Sequence, residues 1–299
     1  MASLSRSVVR SALQSTRVAT RCVPSGSRAP IGIAHRHELR AFGSATASRH
    51  AEARPGPPLS QTNRAEVTLR RFWKKVNMKE EDGGYLVQLD HRNLKTPGGT
   101  KLIIPKDRRL LALLIANEWE NQDEVLKQHA LPTTSLASRA IDGMGDAKIR
   151  EGVIEALMAY LDTDTICDAP EALVRLQGEH WDPLFSWMKD RYGVDLIAAK
   201  GIAPAIQSPE TFAKLRIELE KMDIWELAAF ERAVYATKSF VIALALVKGR
   251  LTAHDAALAS HVEVASQIEL WGEVEDTHDV DYQDIRRALG SVACLLVKA

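Results

Sequence analysis

Cysteine is nearly missing: the chain has three in 299 residues. Cys22 lies in a basic N-terminal arm, which leaves Cys167 and Cys294 far apart in the body. Two distant thiols make neither a disulfide framework nor a zinc site. Both are read as reduced, structural cysteines. Long apolar runs are missing too. Phe240 to Val247 is eight residues, far below the roughly 20 that a membrane-spanning helix needs. That run reads as part of a buried central helix, Asp223 to Lys248, ended by Gly249. A phosphate cradle is absent. Pro97-Gly98-Gly99 is followed by no Lys-Ser/Thr pair in the required frame and opens no helix, so it reads as a hairpin turn. No Ser occupies a G-x-S-x-G turn, and no Cys has a neighbouring His in sequence. No cofactor and no resident metal are expected.

Lysine is absent from residues 1–64, and acids are scarce there. This stretch holds ten arginines and two acids (Glu38, Glu52), a balance of +8, while residues 65–299 carry −8. Placed as a helix, the arm has Arg6, Arg10 and Arg17 on one side, with Leu4, Val8, Val9, Leu13 and Val18 around the rest. An Arg- and Ser-rich arm without a continuous apolar core matches a mitochondrial transit peptide, residues 1–42, and not a secretory signal. Arg40-Ala41-Phe42-Gly43-Ser44 resembles a matrix-protease site, with cleavage expected near Phe42. Residues 43–63, rich in Ala, Ser, Pro and Gly, read as a flexible linker. The acidic body repels nucleic-acid phosphates and anionic lipid headgroups. It suits a basic or polar protein partner, with no nucleic acid, no membrane insertion and a monomeric state expected.

The body reads in two parts, an α+β class. Residues 64–134 form an N-terminal antiparallel β-rich domain with one helix. Residues 135–299 form a C-terminal all-helical domain. Strands are expected over Val67–Val76, Tyr85–Leu89, Leu94–Thr96 and Lys101–Ile104, separated by turns at Gly83-Gly84, Asp90–Asn93 and Pro97–Gly99. A helix from Asp107 to about Gln122 presents Leu110, Leu111, Leu114, Ile115 and Trp119. Further on, Asp182 and Pro183 are expected as cap and first residue of one helix, and Ser208 and Pro209 of another. Thr252 caps a helix running to about Val274, and Tyr282–Val297 makes the last.

Two constellations invite chemistry. Asp162-Thr163-Asp164, with Asp168 nearby, could hold Mg²⁺. The same residues stand at a helix boundary, where caps explain them at least as well. His254, His261 and His278 have no metal-ligand spacing, and His180-Trp181-Asp182 reads as a boundary rather than an acid–base pair. The second constellation is Thr252–Asp279. Leu258, Val262, Ala265 and Ile268 form its apolar stripe, and Glu263, Gln267, Trp271 and Glu275, each four apart, form a ridge beside it. Trp supplies contact area and Glu accepts from a basic partner, so this ridge is the candidate binding surface. A solvated helix end with Trp271 turned inward is the bland alternative.

Seven segments carry a family resemblance: RFWKKV (71–76), LDHRNLKTP (89–97), NEWENQ (117–122), YLDTDTICD (160–168), LQGEHWDPLFSW (176–187), TKSFVIALAL (237–246) and QIELWGEVEDTHD (267–279). In that order they resemble the mitochondrial ATP synthase assembly factor 2 family, chaperones of the alpha subunit of the catalytic head. The resemblance implies a matrix location, no enzymatic activity and binding of the unassembled alpha subunit. The family carries a more acidic run where this chain has Glu263-Val264-Ala265-Ser266. The expectation is an ATP-independent chaperone holding the alpha subunit until the beta subunit arrives. The rival is a metal-dependent matrix hydrolase using Asp162, Asp164 and Asp168 with His180 as base. A constitutive subunit of a matrix complex is a third reading.

Overall fold

A computed structural model describes residues 69–167, 173–198 and 205–298. The expected transit peptide and linker lie outside these residues, as does Asp168.

The N-terminal part is built around one strand. β1 (Val76–Glu81) and β2 (Gly84–Leu89) form a hairpin with Val76 opposite Leu89 and Glu81 opposite Gly84. On the other side of β2, β3 (Arg92–Asn93) pairs with its second half and β4 (Ile103–Ile104) with its first. All pairings are antiparallel, as the turn spacing predicts. Gly84 has φ 140°, and a Cβ there would lie 2.1 Å from the Ile104 carbonyl oxygen. Only glycine lets β4 approach so closely.

The expected first strand is displaced. Residues 69–75 are irregular, and β1 starts at Val76, where Val67–Val76 was expected to end. Arg71 N–H donates to Glu124 O, and Leu126 N–H donates to Leu69 O, so this segment pairs with a distant one instead. The third strand is displaced as well: β3 occupies Arg92–Asn93, where a turn was expected, and of the expected Leu94–Thr96 strand only an isolated bridge, Lys95 to Lys101, is present, while the fourth strand is shorter than Lys101–Ile104.

Helix α1 (Arg109–Glu120) covers β1 and β2 with Leu111, Ala112 and Ile115. Leu110 and Leu113 face outward. Arg108, 1% exposed, lies just before α1. It donates from Nη1 to the Leu295 carbonyl and from Nη2 to Asp223 (3.4 Å), and its guanidinium lies over the Trp225 ring. A buried cation is tolerable only with such partners.

The helical part comprises α2 (Pro132–Asp142), α3 (Ala147–Met158), α4 (Val174–His180), α5 (Asp182–Tyr192), α6 (Pro209–Glu220), α7 (Ile224–Thr237), α8 (Phe240–Val247), α9 (Ala253–Ser260), α10 (Val262–Trp271) and α11 (His278–Leu296). The expected single helix 223–248 is two. Lys238 takes φ 57°, and the Ser239 side chain accepts from Ile242 N–H to restart the chain as α8. Every residue from Phe240 to Leu246 is buried, so apolar periodicity cannot reveal the break. The expected helix from Thr252 to about Val274 is also two, parted at His261. Asp182 is not a cap. It is the first residue of α5, and Trp181 stands before it with its Nε1–H on Ala259 O at 2.8 Å. Ser208 and Thr252 cap as expected, Thr252 in a reciprocal box with Asp255.

Helix α7 is the axis of the helical part, with α2, α8 and α11 packed on it. Arg139 of α2 donates from Nε (2.8 Å) and Nη2 (2.7 Å) to Glu231 of α7, which holds its pKa above the ordinary value. The buried core runs unbroken from Trp73 and Leu102 to Val292 and Leu295.

Candidate protein-binding surface

Helix α10 buries Val262 and Ser266 and exposes Glu263, Gln267 and Trp271. These three lie four apart, one above another on the outer face. Trp271 is 79% exposed, so it is not turned inward. Gly272, at φ 85°, ends α10 directly after it. Glu275 therefore lies beyond the helix and does not extend the ridge, contrary to its four-residue spacing. It stands in the turn leading to α11, where it remains exposed.

The end of α10, the turn and the start of α11 add side chains that the spacing did not single out. Leu270, Val274, Val280 and Tyr282 are all exposed beside Trp271 in the sequence. Glu269, Asp281 and Asp284 are engaged by Arg175, His261 and Arg287. Among the described residues, Glu263, Glu273, Glu275, Asp276 and Asp279 have no cation within ion-pair distance. A large apolar side chain left in water among unpaired carboxylates is the composition of a protein contact for a basic, apolar partner. His261, at the α9–α10 break, is held below its ordinary pKa by burial, against the pull of Asp281 at 3.2 Å. Leu270, Val274 and Val280 stand in an acid-rich stretch and fall outside the apolar stripe that helical spacing picked out.

The other constellation is structural. Asp164 is 3% exposed, and its Oδ1 accepts from Ile166 N–H (3.2 Å) and its Oδ2 from Val241 N–H (3.0 Å). It caps the start of α8 from outside that helix. Desolvation pushes its pKa up to about 6, although hydrogen bonds from Ser239, Val241, Ile166 and Phe240 oppose this. Asp162 accepts from Gln207 N–H (2.9 Å). Among the described residues no group of three or more His, Cys, Asp or Glu side chains could hold a metal ion. Cys167 is buried and its thiol is pushed up to about 12, which makes it unreactive. Among the described residues no helix is long and apolar enough to cross a membrane.

The fold joins a small antiparallel sheet to a helical body, and the surface at the end of α10 carries an exposed tryptophan among unpaired acids. Comparison with known proteins gives the family. Residues 70–189 match the family model described as ATP12 chaperone protein. The mitochondrial atp12 protein of Schizosaccharomyces pombe is 40% identical over 77% of this chain and 83% of its own length. Its Saccharomyces cerevisiae namesake is 31% identical over 80% and 87%. The crystal structure of Atp12 from Paracoccus denitrificans superposes with a TM-score of 0.67 at 34% identity, covering 77% of this chain and 98% of that one. The chain belongs to the ATP12 chaperone family. It is a chaperone and not an enzyme, which closes the hydrolase reading. Membership supports a role in ATP synthase assembly and a mitochondrial setting, as the resemblance implied.

Proposed function

We propose that this chaperone works in the mitochondrial matrix and binds the unassembled alpha subunit of ATP synthase without using ATP. It would shield the alpha subunit's sticky interface until the beta subunit replaces it, which suppresses self-association by mass action. The observation that carries the binding site is Trp271, almost fully exposed at the end of α10, with Glu263 and Gln267 on its face and unpaired acids beyond. The sequence has no phosphate loop, which supports a holding role without nucleotide.

The test is capture of the alpha subunit by full-length protein at matched folded concentration. Glu263→Gln with Glu275→Gln removes two exposed carboxylates and should shift stability by no more than about 0.5 kcal/mol. A carboxylate desolvated against a partner Arg costs about 2–5 kcal/mol to remove, so capture should weaken about tenfold or more. High salt should reproduce part of the loss. Trp271→Ala should weaken capture independently of salt. Equal recovery by all three proteins moves the site off α10.

A further inference from the structure

A second surface has the opposite sign. Residues 91–106 contain no acid, although the body as a whole carries an excess of acids. Arg92, Lys95 and Lys101 from this stretch, with Arg70, rim a hollow of about 670 Å³. Among the described residues none of the four has a carboxylate within ion-pair distance, and all four are exposed. Between them lies apolar surface. Phe72 is 62% exposed and Leu69 47%, and Leu94 and Leu126 also line the hollow. The Arg92 guanidinium stands 5.6 Å from the Phe72 ring centroid, holding a cation directly over the apolar wall. An adjoining hollow of about 660 Å³ shares Leu69, Lys95, Trp119 and Leu126 and runs on along α2. The two make one long furrow.

Such a furrow is too extended for a point ligand; its four rim cations stand on three separate stretches of chain around the first hollow, and the second adds Asp142 and the Arg139 that Glu231 already pairs. A phosphate or small carboxylate would be gripped by converging donors. A polypeptide strand is different. It offers apolar side chains to the walls and charges at intervals to the rim. The chain's own N-terminal arm, with ten arginines and two acids in residues 1–64, has the wrong sign for this rim. We infer that the furrow between residues 69–73, 92–101 and 119–126 binds an extended polypeptide segment rich in acidic and apolar residues, separately from the acidic α10 surface. This rests on the chaperone reading only in taking the ligand to be a polypeptide. Two surfaces of opposite charge would let one chaperone hold two unlike segments of a client.

The experiment uses the full-length chain and two dye-labelled ten-residue peptides, one of alternating Leu and Glu, the other of alternating Leu and Lys, read by fluorescence anisotropy. The Leu–Glu peptide should bind at least about tenfold tighter than the Leu–Lys peptide, and added salt should narrow the gap. Arg92→Glu with Lys95→Glu should remove that preference while leaving the thermal midpoint in place, because both side chains are exposed. Phe72→Ala, which keeps every charge, should weaken binding of the Leu–Glu peptide by itself. Glu263→Gln should leave it unchanged. Equal binding of the two peptides overturns the inference, as does a preference that survives the Arg92/Lys95 pair. A concentration-dependent doubling of mass that the same pair abolishes also overturns it, because the occupant is then a second copy of this chain. The two proposals fail separately: a wild-type chain that captures the alpha subunit but binds the two peptides equally sinks only the furrow, and a wild-type peptide preference with capture untouched by the α10 variants sinks only the α10 site.

Discussion

Replacing Glu118 by Ala tests how α1 and α2 are joined. Helix α2 begins at Pro132, and the residue before it, Leu131, has no side chain able to cap. The cap comes from α1 instead. Glu118 Oε1 accepts from Thr133 N–H at 2.7 Å, and Oε2 accepts from Thr134 N–H at 2.9 Å and from the Thr134 hydroxyl at 2.7 Å. A carboxylate here also faces the positive end of the α2 dipole. Thr133 and Thr134 are both buried, and the Thr133 hydroxyl already lacks a partner among the described residues. Loss of an N-terminal cap alone costs about 0.5–2 kcal/mol. Leaving a buried donor unsatisfied costs about 1–3 kcal/mol, toward the low end where water can enter. Glu118 is half-buried, so we take a working total of about 3 kcal/mol. For a folded body of this size each kcal/mol moves the midpoint by about 2–4 °C, so Glu118→Ala should melt about 6–12 °C below wild type. Glu118→Gln keeps one acceptor and should lose roughly half as much. The assay is calorimetry or circular dichroism of purified protein, with capture of the alpha subunit measured well below either midpoint and expected to be unchanged. An Ala variant melting within about 2 °C of wild type would refute the reasoning, because water would then be an adequate cap.

Three further outcomes are expected. The folded pKa of Asp164, about 6, is raised above the ordinary 3.8, so stability from this group is fully present below about pH 4 and is lost as pH rises through about 6. The gap is worth up to about 3 kcal/mol, and the midpoint of wild type minus that of Asp164→Asn should grow as pH falls from about 7 to about 4; a constant difference would show that hydrogen bonding outweighs desolvation. Trp119→Arg removes a ring packed 5.1 Å from Trp73 and a hydrogen bond to the Thr134 hydroxyl (3.1 Å). Trp119 is half-buried rather than fully enclosed, so the cost should be about 3 kcal/mol in a thermal melt, and an unchanged midpoint would misplace it. Gly84→Ala puts a methyl 2.1 Å from the Ile104 carbonyl oxygen and should cost more than about 3 kcal/mol, with faster hydrogen exchange at the β4 amides as its local signature.

What the sequence made legible was whatever local chemistry decides. The hairpin turn before Gly84, the Ser208 cap with Pro209 and the Thr252 cap all stand where residue type alone puts them. What it hid depends on distance. Segment 69–75 lies in the stretch expected as the first strand, yet its hydrogen bonds go to residues 124–126 and its Trp73 ring packs on Trp119. The break at Lys238 leaves no trace in apolar spacing, because α8 is buried on every side. At the binding surface, Trp271 among acids was visible in the chain. The place of Glu275 was not, because Gly272 turns the backbone out of the helix one residue after Trp271. The basic furrow was invisible for a plainer reason: its walls come from stretches as far apart as Leu69 and Leu126, which a local pattern cannot join.

Arg108 has a bearing on the order in which the protein matures. Its partners are Asp223, Trp225 and the Leu295 carbonyl, the last 187 residues further along the chain. A chain that enters a compartment N-terminus first delivers the sheet and α1 long before it delivers α11. During that interval the guanidinium has nothing to satisfy it and must stay in water, which keeps the N-terminal end of α1 from settling. Contacts of such separation are slow to form and leave apolar surface uncovered meanwhile. This chaperone should therefore be a client before it is a helper: until α11 is laid down over α7, it presents the sort of half-finished surface that it later covers on others.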